Sequence, residues 1–114
     1  MIVAGIGCRA GTPKKTLSAL LGGYQVDAFA SLRLRAVEVG DLAALMGKPL
    51  ILHDDLVGVQ TPTQSPRIQA LHGTGSIAEA AALAALATGA RLILTRIQSP
   101  DGQATLAIAE GDPK

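Results

Sequence analysis

From Ala80 to Ala87 the chain consists of alanine and leucine alone. A helix that is apolar nearly all round offers no face to water, so it is expected to be buried by other elements. Directly before it, Ser76-Ile77-Ala78-Glu79 has the spacing of a capping box, in which serine and glutamate satisfy each other's exposed backbone donors. Gly89 ends this helix. Hydrophobic residues make up 48% of the sequence but aromatics only 2%, so the core is made of Ala, Val, Leu and Ile. Many small side chains and close backbone contacts follow.

Strand and helix signals alternate around that segment. Ile2 to Cys8, an apolar run broken by Gly5 and Gly7, reads as a buried strand that ends in a glycine-permitted turn, and the two glycines also have the plainer reading of allowing tight packing and a turn. Thr12 as cap and Pro13 as first helical residue predict a helix carrying Leu17, Leu20 and Leu21, stopped by Gly22-Gly23. Ala28 to Leu34 reads as a second strand, Leu42 to Met46 as a short helix, and Pro49 to Leu52 as a third strand. Gly58 to Pro66 is an irregular loop, and Ser65-Pro66 opens a turn of helix through Leu71. Arg91 to Ile97 and Gln103 to Ala109 form a last pair of strands about the turn Ser99-Pro100-Asp101-Gly102. The pattern predicts an α/β fold, a three-layer α/β/α sandwich. Its sheet is mixed and mostly parallel, with a C-terminal antiparallel hairpin. A length of 114 residues fits one domain spanning 1–114.

Charge and cysteine usage exclude several classes. Ten Lys/Arg stand against nine Asp/Glu with no run of like charge, and a single Tyr and Phe are the only aromatics. Neither a basic stripe nor stacking rings are available for nucleic acid. Cys8 is the only cysteine, which rules out an intramolecular disulfide or multi-cysteine metal site, and no metal is expected. Apolar runs fall short of the roughly 20 residues a bilayer needs. The first residues lack the basic region of a secretory signal. A cytoplasmic protein without membrane contact is the expectation.

Two segments place glycine amides at strand-to-helix junctions: Gly5 to Thr12, beside Arg9, Lys14 and Lys15, and Leu71 to Ser76. Converging amides and a helix amino end suit carboxylates or phosphates. Candidate ligand contacts are Gly5, Gly7, Cys8 and Arg9 in the first, and Gly73, Thr74, Gly75, Ser76 and Glu79 in the second. Ser76 and Glu79 also have the plainer reading of a helix cap. Gly5-x-Gly7-x-x-Ala10 fits the dinucleotide pattern, but Pro13 sets the helix start some residues later and the expected acidic residue after the second strand is missing. Cys8 lacks an activating base in the sequence and reads better as an inert thiol. His53-Asp54-Asp55 follows a strand, where α/β sheets bind ligands, but also fits a solvated turn. Arg33, Arg35, Arg91 and Arg96 are candidates for carboxylate contacts. His72 is a candidate for proton transfer at the second loop.

Taken in order, Gly5-Ile6-Gly7-Cys8-Arg9, Arg35 to Glu38, Gly73-Thr74-Gly75-Ser76-Ile77-Ala78-Glu79-Ala80-Ala81-Ala82 and Thr105-Leu106-Ala107-Ile108-Ala109 resemble the CobE/CbiG C-terminal family of cobalamin biosynthesis. The resemblance covers nearly the whole chain. It implies an α/β/α sandwich and a place in corrin-ring assembly, as a CobE-type single domain or the last part of a split CbiG. Relative to the family, Arg35 and Arg96 stand where lysine is usual. An anion-binding lysine tolerates that exchange, whereas a lysine acting by proton transfer does not.

These readings leave three functions. The first is binding or processing of a precorrin or corrin intermediate through its carboxylates, with Arg35 and Arg96 among the contacts, no cofactor, and other pathway enzymes as possible partners. The second, implied by the resemblance, is a hydrolase that opens the lactone of cobalt-precorrin-5A and releases acetaldehyde, with Glu38 or His72 promoting water attack. The third is a nucleotide-binding module, resting on the glycine match alone.

Overall fold

The outermost positions of the sheet go to the strands with the least buried sequence, and the central one to the chain's opening segment. A computed structural model describes all residues from Met1 to Lys114. Strand β1 (Ile2–Cys8) leads to helix α1 (Lys14–Leu21), strand β2 (Ala28–Leu32), a 3₁₀ turn at Arg33–Arg35, helix α2 (Ala36–Met46) and strand β3 (Leu50–His53). Helices α3 (Pro66–His72) and α4 (Ile77–Ala84) follow, and strands β4 (Arg91–Gln98) and β5 (Ala104–Glu110) close the chain. The sheet order is β3-β2-β1-β5-β4. β1 pairs β2, and β2 pairs β3, in parallel; β5 is antiparallel to both β1 and β4. Four strands therefore run one way and β5 alone runs back.

The pleat divides the core into two layers. Ala4, Ile6, Phe29, Leu106 and Ile108 face Leu17 and Leu21 of α1 and Val39 and Leu42 of α2. Val3, Ala28, Ala30 and Ala109 face Ala81, Ala82 and Ala85 in and just after α4. This is the α/β/α sandwich expected from the sequence, with the alanine-rich helix forming one outer layer. Each fully buried Leu, Ile or Phe contributes about 1.5–3 kcal/mol relative to exposure.

Several boundaries differ from expectation. β1 has the expected bounds, with Gly5 and Gly7 inside it; neither has positive φ, so of their two plainer readings packing holds and a turn does not. A Cβ on Gly5 would sit 1.9 Å from the Ala78 carbonyl oxygen and 2.7 Å from the Ala82 nitrogen. The glycine thus serves close approach of α4 to the sheet. At α1, Pro13 is the cap residue in extended conformation and Lys14 begins the helix. Thr12 does not cap it; its hydroxyl donates to the Arg9 carbonyl at 2.7 Å. β2 stops at Leu32, and α2 begins at Ala36, six residues before Leu42, carrying Gly40 within it. α4 ends at Ala84, so Ala85 to Ala87 lie beyond it.

The capping box is half formed. Ser76 Oγ accepts from the Glu79 amide at 3.3 Å, but the Glu79 carboxylate does not return to Ser76. It accepts instead from the Thr63 amide (2.9 Å), the Thr63 hydroxyl (2.7 Å) and the Arg96 amide (2.9 Å). With none of its surface exposed, Glu79 ties the 58–65 loop and β4 to the start of α4.

Candidate functional site

The carboxyl ends of β1, β2 and β4 and the beginning of β5 meet at one edge of the sheet. β1 is where the strand order reverses, and open α/β sheets bind ligands outside the carboxyl ends at such a point. A pocket of about 470 Å³ occupies that edge. Gly7, Cys8 and Arg9 reach it from β1, Leu34 and Arg35 from the turn after β2, and Arg96 and Gln98 from β4. α3 contributes Arg67, Ile68, Leu71 and His72, and α4 begins at the pocket with Ser76 and Ile77.

Its electrostatics are one-sided. Arg9, Arg35, Arg67 and Arg96 all line the pocket, and no aspartate or glutamate does. None of the four is ion-paired. The two ion pairs of the protein join Arg33 to Asp54 (2.7 Å) and Arg91 to Glu110, and none of these four residues lines the pocket. Of the five arginines flagged by sequence, Arg33 and Arg91 are thus held by surface carboxylates and Arg9, Arg35 and Arg96 face the cleft. Arg35 is oriented by its own backbone neighbourhood: Nε donates to the Cys8 carbonyl at 2.8 Å and Nη1 to the Leu34 carbonyl at 3.2 Å. Such tethering fixes the plane of the guanidinium and leaves its remaining edge for a ligand. Glu38 and Asp101 lie close enough for Arg35 and Arg9 to act on their carboxyls, yet both stand outside the lining and neither pairs with an arginine, so the guanidinium groups inside the cleft suit carboxylates, which they bind bidentately.

The mouth is apolar. Leu34 and Leu71 line the pocket yet remain 56% and 61% exposed. A flat apolar ligand laid across the opening would cover both.

The pocket gathers Gly7, Cys8, Arg9, Arg35, His72, Ser76 and Arg96. Gly5, Glu38, Gly73, Thr74, Gly75 and Glu79 lie outside its lining. Gly5 is paired to Ala30 and Ala107 inside the sheet and pressed against α4. Gly75 is covered by the 61–64 loop, whose Thr63 carbonyl a Cβ would meet at 2.3 Å. Thr74 is buried, its hydroxyl donating to the Val59 carbonyl at 2.7 Å. In this second loop the Gly73 amide is spent on the protein, donating to the Gln69 carbonyl, and the Gly73 and Gly75 carbonyls accept from Gly58 and Ser65. Arg67, Gln98, Gln103 and Thr105 line the pocket without having been singled out from sequence. Only the position of Arg67 one residue past a capped Ser65-Pro66 helix start hinted at a presented side chain.

Titration narrows the chemistry. Burial pushes the Cys8 thiol up to about 11, aided by the nearby Glu38 charge and opposed by Arg35. A neutral thiol at physiological pH is a poor nucleophile. Glu38 accepts from the Gly11 amide at 2.8 Å, and that hydrogen bond holds its carboxyl below the usual carboxylate range. A depressed carboxylate is a weak proton acceptor. Ser76 Oγ is engaged in the α4 cap.

Fold and pocket define a small α/β/α sandwich protein with a cation-lined cleft at the carboxyl edge of its sheet. The chain matches the family model described as cobalamin synthesis G C-terminus over residues 2–109 and belongs to that family. It is a cobalamin-biosynthesis pathway protein of the CbiG/CobE type. Among solved structures it is similar to CobE of the cobalamin pathway, at 28% identity and a TM-score of 0.77, over 100% of this chain and 92% of that one. It is also similar to the cobalamin biosynthesis protein chiG of Agrobacterium tumefaciens str. C58, at 32% identity and a TM-score of 0.70, over 97% and 98% of the two chains. A cobalamin biosynthesis protein G homologue from Sulfolobus solfataricus shares the fold at 23% identity and a TM-score of 0.69, with 95% of this chain covering 36% of that longer one. No curated protein sequence matches the chain. No helix is long and apolar enough to cross a membrane.

Proposed function

We propose that this protein, acting as a single domain over residues 1–114, binds a carboxylate-rich corrin-ring intermediate at the carboxyl edge of its sheet. The observation that carries the reading is the set of four arginines around one pocket with neither an acidic lining residue nor an ion pair among them. Cations gathered in a shared cleft repel one another, and an anionic ligand relieves that repulsion. Corrin precursors combine peripheral acetate and propionate groups with a broad apolar ring. The arginines suit the former, and Leu34 and Leu71 suit the latter. A pocket of about 470 Å³ receives one edge of such a ring and leaves the rest exposed, as a carrier or partner subunit requires.

The test is a spectroscopic titration with hydrogenobyrinic acid. A saturable shift of the visible spectrum is expected, weakening as salt is raised because the contacts are ionic. Arg35→Ala should weaken binding about tenfold or more, the scale of one charge-assisted bidentate contact. An unchanged spectrum at high micromolar corrinoid would sink the reading.

A hydrolase reading draws on one observation, the presence of His72 in the pocket lining. It requires acetaldehyde release from a lactone-bearing precorrin, lost in His72→Ala. The nucleotide reading draws less support, because the glycines it rests on lie within β1 and not in a phosphate-binding turn.

A further inference from the structure

Helix α3 differs from the other helices in how it is held. None of its residues is buried, whereas α1, α2 and α4 each bury two or more. A seven-residue helix is far too short to persist on propensity alone. Its stability is local: Ser65 Oγ accepts from the Ile68 amide, Pro66 occupies the first turn, and Gly73 closes the helix in left-handed conformation with φ +70°. The flanking loops, not the helix, carry the anchors. Ser65 donates to the Gly75 carbonyl, Gly58 donates to the Gly73 carbonyl, and Thr74 is buried behind them. A helix capped at both ends and free of core contacts can shift as a unit without breaking its own hydrogen bonds.

Arg67, Ile68, Leu71 and His72, at helical spacing, all line the pocket. Leu71 is 61% exposed there, an apolar surface that a closing movement onto a ligand would cover. We propose that α3 is the clamp of this pocket, in which Arg67 grips a ligand carboxylate while Leu71 presses on the apolar ring face against Leu34. The inference rests on the binding reading above and extends it by assigning α3 to ligand retention. Ligand would enter with α3 displaced and be held when it settles, so loss of the clamp acts chiefly on release.

The experiment combines hydrogen exchange with binding kinetics, using the full chain and hydrogenobyrinic acid. Backbone amides of 67–73 should exchange readily without ligand and be slowed about tenfold or more at saturation. Those of β1 and β5 should be protected in both states. Arg67→Ala and Leu71→Ser alter exposed positions, so melting temperatures should stay close to that of the parent, and each should raise the release rate about tenfold, the scale of one lost charge-assisted or apolar contact. Ligand that binds the parent while leaving exchange of 67–73 unchanged, or release rates unaltered in both variants, would overturn the clamp and leave the binding site standing. Absence of any binding to the parent protein would overturn both.

Discussion

Cys8 shows how one residue's chemistry is set by what surrounds it. In sequence it sits next to Arg9 at a strand end, a setting in which cations can activate a thiol. In the fold its side chain points to the α1/α2 layer and is partly withdrawn from water, and burial outweighs the Arg35 charge. With the thiol raised to about 11, alkylation by iodoacetamide at pH 8 should run about two orders of magnitude slower than for a free cysteine, since rate follows the thiolate fraction. Unfolding in denaturant should restore the ordinary rate. Reaction at the free-cysteine rate in the native protein would show that the thiol is activated after all. Arg35 is the contrasting case: its role depends on how its guanidinium is oriented, and the Cys8 and Leu34 carbonyls supply that geometry.

At the scale of elements, α4 and β1 are matched surfaces. Ala78, Ala81 and Ala82 on the helix and Gly5 on the strand allow backbone to approach backbone where larger side chains would hold the layers apart. Gly5→Val should therefore destabilise the protein by several kcal/mol, above the usual overpacking cost of about 1–3 kcal/mol, because the obstructing atoms are main chain and cannot rotate away. Gly23→Ala is the control: no atom lies near its added Cβ and its φ is not positive, so a change within about 0.5 kcal/mol is expected. Chemical denaturation of the two variants distinguishes a packing glycine from a merely flexible one. Equal midpoints would refute the close-approach argument. A dinucleotide-type role for Gly5 predicts lost ligand binding at unchanged stability, the opposite outcome.

At the scale of the molecule, Glu79 joins three parts that are distant in sequence: the loop at Thr63, the amino end of α4, and β4 at Arg96. Leaving its donors unpartnered in the interior costs about 1–3 kcal/mol apiece. Glu79→Ala should accordingly lower the melting temperature by 10 °C or more (about 4 °C per kcal/mol at this size). A shift below a few degrees would mean that water replaces the carboxylate. The same knot holds β4 beside the pocket, so its loss should also weaken ligand binding.

What the residues settled unaided was local or periodic. The alternation of strands and helices, the Ser76 cap, the burial of the alanine-rich segment and the final hairpin follow from backbone propensity, side-chain period and turn chemistry, and these act within a few residues. Family membership was legible for the same reason, since it rests on contiguous motifs. Only the tertiary structure decided which glycines meet a helix instead of a ligand, and where Glu79 spends its hydrogen bonds. Nor could the one-dimensional pattern say that Arg9, Arg35, Arg67 and Arg96 share a cleft while Arg33 and Arg91 are occupied by surface carboxylates. Those outcomes depend on the sheet order, which brings residues as far apart as 9 and 96 to one edge; electrostatics between them is a function of distance in space, to which separation along the chain is no guide.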